Sequence, residues 1–194
     1  MKTVSISDAV IVLRSGGVVL VPTETVAGLL ASEQSLNRLS ELKLRHPQKP
    51  VALLCASANE AFELALEVPA IARTLADRYW PGPLTMVLSK LGGGTVGLRV
   101  PDHEGVRELL VAYGGPLYAT SANLAGQMAP AALEDVDPGV VRKVDAIVSG
   151  DSGRGEASAV VDLSGVEPRL LRPNESLTAE KLRRLVQEHG QESV

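Results

Sequence analysis

The 194-residue sequence predicts an α/β fold built on a mixed, twisted sheet with flanking helices. Two observations predict it. Short apolar runs of strand length alternate with stretches of helical period, and several runs follow one another with no helix between, which a purely parallel sheet does not allow. A third is size: with 45% hydrophobic residues, a chain this long buries enough apolar surface for one core. One domain over 1–194 is expected, frayed from about residue 190.

Ser7 is placed to cap a helix over 8–14 that Gly16 and Gly17 stop. Val18, Val19, Leu20 and Val21 then read as a buried strand ended by Pro22. Over 35–45, Leu36, Leu39 and Leu42 recur at helical spacing, with Lys43 and Arg45 at the C-terminal end. Runs at 51–54, 84–88, 96–100, 117–119, 146–148, 160–163 and 170–171 read as short strands. Stretches 58–67, 70–79, 104–112 and 178–189 read as helices, the last capped by Thr178 and stopped by Gly190.

Composition narrows the function. The formal net charge is −4, so the whole-molecule field disfavours a tight, sequence-independent grip on a polyanion, and an acidic ligand needs a local basic site. Cys55 is the one cysteine, which excludes an intrachain disulfide and a cysteine-based zinc site; its apolar setting reads as a small buried thiol. The N-terminus lacks a basic region followed by an apolar core, and nowhere do about 18 apolar residues run unbroken. A cytoplasmic protein with no membrane contact is expected.

Polar residues concentrate where strands end. Pro22-Thr23-Glu24-Thr25 sets two hydroxyls beside a carboxylate, followed by Gly28. Lys43, Arg45 and Lys49 place three cations in a proline-stiffened loop around His46, the donor set that polyphosphate oxygens need. Thr120-Ser121-Ala122-Asn123 offers small residues that let backbone N–H groups approach an anion. Arg99 lies inside an apolar strand that opens near Thr95, and a guanidinium there needs an anionic partner: a ligand, or Asp102 or Glu104 as a structural ion pair. The glycine-rich run 150–158 reads as a lid or crossing loop, with the strand-end Arg172 soon after. Taken singly, each segment reads equally as an ordinary turn or surface loop. No G-x-x-x-x-G-K-[ST] loop or G-x-G-x-x-G turn occurs.

In this order, Pro22-Thr23-Glu24-Thr25-Val26 with Gly28 and Leu29, Lys43-x-Arg45, Trp80-Pro81-Gly82-Pro83-Leu84-Thr85, Arg99-x-Pro101, Ser121-Ala122-Asn123 and Leu171-Arg172-Pro173 resemble the YrdC/TsaC family. The series runs from about residue 7 to 189. The resemblance implies a concave, positively lined cavity and a nucleotidyltransferase reaction: L-threonine, bicarbonate and ATP, with Mg²⁺ as helper, give threonylcarbamoyl-AMP and pyrophosphate. Downstream transfer proteins then carry that group to adenosine 37 of tRNA. It assigns Lys43 and Arg45 to phosphate and catalysis, with Lys49, Thr95, Ser121, Asn123 and Arg172 around the nucleotide. Thr23, Thr25, Arg99, the backbone at Ala119, and Ser158 would hold threonine, and no protein metal site is implied. The chain looks like the family's short form, without a second domain. It departs from the family pattern at Ala27, His46, Leu54, Ala159 and Asn174. The alternative is a YciO-like paralog, or an RNA-binding or ribosome-maturation protein that contacts transfer or double-stranded RNA without synthase activity.

Overall fold

The computed structural model describes residues 3–42, 51–151 and 153–192. Among these residues nine strands form one mixed sheet in the order β7-β1-β2-β6-β3-β5-β4-β8-β9, the strands being β1 Val18–Val21, β2 Gly28–Ala31, β3 Ala52–Leu54, β4 Leu84–Ser89, β5 Thr95–Arg99, β6 Leu117–Ser121, β7 Ala146–Ile147, β8 Ala159–Asp162 and β9 Arg169–Arg172. Parallel pairs, such as β3 with β5 and β4 with β8, sit among antiparallel ones. The helices are α1 Ile6–Arg14, α2 Leu36–Leu42, α3 Ala58–Glu63, α4 Ala70–Tyr79, α5 Glu104–Tyr113, α6 Pro138–Val141 and α7 Ala179–Glu192.

Local chemistry moves several boundaries. The cap of α1 is Ser5, whose Oγ accepts the Asp8 N–H at 3.1 Å. Ser7 cannot serve, because it already lies inside the first turn. Helix α3 ends at Glu63, short of residue 67, because Ala65 and Leu66 turn to bond Lys90 and Ser89 of β4 and its turn. Thr178 does cap α7, accepting from the Lys181 N–H at 3.3 Å, but the helix runs on through Gly190 to Glu192. One glycine costs a helix only about 1 kcal/mol, too little to end it alone. Two elements have no counterpart in the sequence reading. β2 is four apolar residues with no alternation, and α6 is a single turn started by Asp137, which accepts from the Gly139 N–H, and Pro138.

Three apolar clusters show which faces are covered. Leu53, Met86, Leu88, Val96, Leu98, Ala159 and Val161 of β3, β4, β5 and β8 point onto α3, α4 and α7. On the other half of that face, Val18, Leu20, Leu29 and Ala31 pack with Leu39, Leu42 and Val140 of α2 and α6. Among the described residues, α1 and α5 cover the opposite face over β1, β2 and β7 and reach onto β6 and the end of β3, where Val19, Val21, Leu30, Ala146, Leu117 and Leu54 meet them. Across β5, β4 and β8, and at Ala52 of β3, no helix among the described residues covers that face. Ala52, Gly97, Val87, Val160 and Asp162 are half-buried, while their strand neighbours on the helix-covered side are buried. Among the described residues, no helix is long and apolar enough to cross a membrane.

Candidate active site on the open face of the sheet

The site is a consequence of register. Arg99 ends β5 beside Leu54 of β3 and, one step past the Met86 and Leu98 pair, beside Thr85 of β4. Thr85 stands opposite Val160, and Val160 opposite Arg172. Residues paired across strands share a face, so Arg99 and Arg172 project from one row of the open face, about 14 Å apart as backbone, with only small or short side chains between them.

Both side chains are tied down at this row. Arg172 Nε donates to the Ser158 carbonyl at 2.7 Å and its Nη2 to Ser158 Oγ at 3.2 Å; that hydroxyl also lies 2.9 Å from Thr85 Oγ1. Partial burial, and then the positive charge of Arg99, hold the Arg172 guanidinium below its usual range. Two cations on one row of the face make a place for an anion.

Arg99 is itself held from three sides. Nε donates to the Gly82 carbonyl at 3.2 Å, and Nη2 donates to Glu24 at 2.6 Å and to Thr25 Oγ1 at 2.9 Å. Its ion-pair partner is thus Glu24, 75 residues away, while Asp102, the expected neighbour, pairs with Arg107 at 3.0 Å. Glu104, the other candidate, is exposed in the first turn of α5. The Trp-Pro-Gly-Pro segment delivers the Gly82 carbonyl: Trp80 Nε1 bonds the Leu84 carbonyl at 2.7 Å, and the Trp80–Pro81 peptide is cis.

The Thr23–Val26 turn closes this end. Thr23 Oγ1 accepts from the Thr25 and Val26 N–H groups, donates to the Val26 carbonyl at 2.7 Å, and lies 2.8 Å from Thr25 Oγ1. Both threonines are buried. Residues 153–155 cross over the turn: Arg154 N–H donates to the Glu24 carbonyl at 3.1 Å and Gly155 N–H to the Thr25 carbonyl at 2.8 Å. A Cβ on Gly153 would fall inside contact distance of the Thr23 and Thr25 carbonyl oxygens, so only glycine seats the loop this closely.

The remaining expected residues lie further along the same face. Ala119 pairs with Ala52, and Ser121 ends β6 opposite Gly28. Asn123 follows, its amide donating to the Gln127 carbonyl at 2.7 Å, beside a recess of about 360 Å³ that Glu134, Asp137 and Met128 also line. Thr95 opens β5, exposed, two residues beyond Gly97. Lys43, Arg45 and Lys49, with His46, lie outside the described residues. The departures from the family pattern at other positions are absorbed by the fold. Ala27, Leu54 and Ala159 are buried core, and Asn174 closes a turn by accepting from the Leu177 N–H at 2.8 Å and donating to the Pro83 carbonyl at 3.0 Å. The sequence reading missed the roles of Glu24, Thr85, Ala52 and Gly97. Glu24 stood in a motif it quoted, whereas the small residues acquire meaning only through strand register.

A profile of the Sua5/YciO/YrdC family, described as telomere recombination, matches residues 11–174. The threonylcarbamoyl-AMP synthase of Pyrococcus abyssi is 37% identical over 91% of this chain and 55% of its own length. That of Stenotrophomonas maltophilia is 34% identical over 79% of this chain and 90% of its own. The chain spans about half the length of the P. abyssi and Bacillus subtilis relatives, 55% and 56%. Among solved structures, P. abyssi Sua5 complexed with L-threonine superposes with a TM-score of 0.86 at 36% identity, over 94% of this chain and 57% of that one. Escherichia coli YciO does so with a TM-score of 0.78 at 25% identity, over 86% and 87%.

Proposed function

The chain belongs to the Sua5/YciO/YrdC family, and from that premise we propose that it is a threonylcarbamoyl-AMP synthase of the cytoplasm, serving tRNA modification. The observation that carries the reading is the shared row of Arg99, Thr85, Val160 and Arg172 on one face, Arg99 held at Thr25 and Arg172 at Ser158, beside the Thr23–Val26 turn. Two guanidiniums on this row, with one carboxylate paired to Arg99, leave a positive excess. The substrates supply the anions that offset it.

In this proposal Arg99 pairs with the threonine carboxylate, while Thr23, Thr25, Ser158 and the Ala119 backbone bound the amino acid. Ser121, Asn123, Thr95 and Arg172 face the nucleotide, joined by Lys43, Arg45 and Lys49, which take the phosphates. The amine and bicarbonate condense to a carbamate with loss of water. A carbamate oxygen then attacks the α-phosphorus of ATP, the bond to the β,γ-phosphates breaks, and pyrophosphate leaves. Both partners are anionic, so the protein contributes mainly charge neutralisation and alignment, and no nucleophilic side chain is needed. Among the described residues no group of three His, Cys, Asp or Glu side chains is placed to hold a metal, and Glu24 gives one of its oxygens to Arg99. In this reading Mg²⁺ arrives with the ATP phosphates, whose charge it neutralises.

The test is pyrophosphate release by the purified chain. Release that requires L-threonine and bicarbonate together supports the synthase. ATP consumption indifferent to threonine, or none, would instead favour a binding protein of this fold acting on RNA.

A further inference from the structure

Gly97 occupies the middle of β5 on the open face, two residues from Arg99 and two from Thr95. It pairs with Ala52 of β3 on one side and Val87 of β4 on the other, and Ala52 pairs in turn with Ala119. Ala119, Ala52 and Gly97 thus form a strip of minimal side chains between the Arg99 end and the Thr95 end of the face. Those ends lie about 13 Å apart along the strand.

Nothing in the fold demands glycine there. A Cβ at Gly97 would meet Ala52 Cα, Ala52 Cβ and Thr85 Cγ2 at 3.6 Å each, which is ordinary van der Waals contact, and its φ lies outside the range that disfavours side chains. A glycine inside a strand weakens it and often marks the close approach of a ligand. Here the ligand side is the only side on which a methyl group would be new volume.

We propose that Gly97 is a positioning residue that keeps open the floor on which the carbamate carboxyl group and the α-phosphate meet. The inference rests on the synthase reading. An amino acid anchored at Arg99 and a nucleotide reaching past Thr95 have to join over this strip. A methyl group there lifts the junction away from the sheet without touching either anchor.

The experiment compares wild type, Gly97→Ala and Gly97→Val, with Gly105→Ala in α5 as the control; a Cβ at Gly105 meets only the His103 ring, at 3.5 Å. Gly97→Ala is expected to raise Tm by about 1–4 °C, as strand glycine gives way to alanine. Its threonine- and bicarbonate-dependent kcat should fall at least about tenfold, and that of Gly97→Val about a hundredfold. The affinities for L-threonine alone and for ATP alone should stay within about threefold. Gly105→Ala should gain stability at an unchanged rate. Full activity in Gly97→Ala and Gly97→Val overturns the proposal, as does a Tm fall of more than about 5 °C in Gly97→Ala, which would make the glycine a requirement of the fold. If the wild type shows no threonine-dependent turnover, the synthase reading fails instead. The floor is then judged by the affinity for L-threonine in the presence of α,β-methylene-ATP: loss of that affinity in Gly97→Ala sustains it, and an unchanged affinity, or no binding by wild type, removes it.

Discussion

Arg99 illustrates how a single side chain commits to a role. Its side chain is 10% exposed, and Nε and Nη2 are spent on Gly82, Glu24 and Thr25, which fixes the plane of the guanidinium. Lysine has neither the fork nor the plane, so Arg99→Lys removes geometry as well as hydrogen bonds. A charge-assisted hydrogen bond is worth about 1.5–3 kcal/mol. Arg99→Lys should therefore raise the KM for threonine by about 10- to 100-fold and leave that for ATP within about threefold, as steady-state kinetics in each substrate would show. Cys55 is the contrasting case. Burial first, and Glu60 second, push its thiol up to about 12, so it stays protonated at neutral pH. It should be inert to a disulfide exchange reagent in the folded chain and react in proportion to unfolding in urea; fast reaction in native buffer would contradict the burial. The apolar run around Cys55 made its state legible in the sequence, because burial is a local property of such runs. The partner of Arg99 was not legible: a 75-residue separation leaves no trace in spacing, and the nearer acids Asp102 and Glu104 looked equally suitable.

At the scale of elements, hydrophobic period located β1 and β3 to β9 to within two residues at either end, because each is an apolar run bounded by turn residues. It failed for β2, where a leading glycine and three apolar residues carry no alternation: both faces are buried, one against α1 and α5, the other against α2 and α6. Alternation does survive in β5, and it assigns neighbouring residues to different tasks. Leu98 is fully buried against Met86 and the α4 side, so Leu98→Ala should cost about 2–5 kcal/mol in a urea titration. Its neighbour Gly97 faces the opposite way. The crossing loop adds a further dependence. Gly153→Ala drives a methyl group against two carbonyl oxygens of the Thr23–Val26 turn, and neither backbone atom is free to yield. The loop must lift, losing the bonds from Arg154 and Gly155. A destabilisation of about 1–3 kcal/mol is expected, with threonine affinity reduced more than ATP affinity; equal loss of both would mean that the loop serves the whole recess.

Over the whole molecule, the balance of charge and its placement point in different directions, and the placement decides. The chain carries 23 acidic against 19 basic side chains, so its distant field repels a polyanion. A nucleic acid duplex is gripped by cations spread along a surface, each releasing counterions, and the affinity falls steeply with salt. Arg99 is instead buried on the open face, and Arg172, although exposed, is bonded to the buried Ser158 on the same row. That arrangement serves a compact anion able to enter a recess, where charges are screened less than on the surface. Binding of a 20-base-pair RNA duplex at about 150 mM salt should accordingly be weaker than the roughly 1–100 μM typical of non-specific binders, whereas ATP affinity should change less than about threefold between 50 and 200 mM salt. Fluorescence anisotropy with labelled duplex and calorimetry with ATP would measure the two. Micromolar duplex binding with a steep salt slope would mean that the cations act as a surface, and the proposed meeting of two small substrates over Gly97 would lose its electrostatic basis.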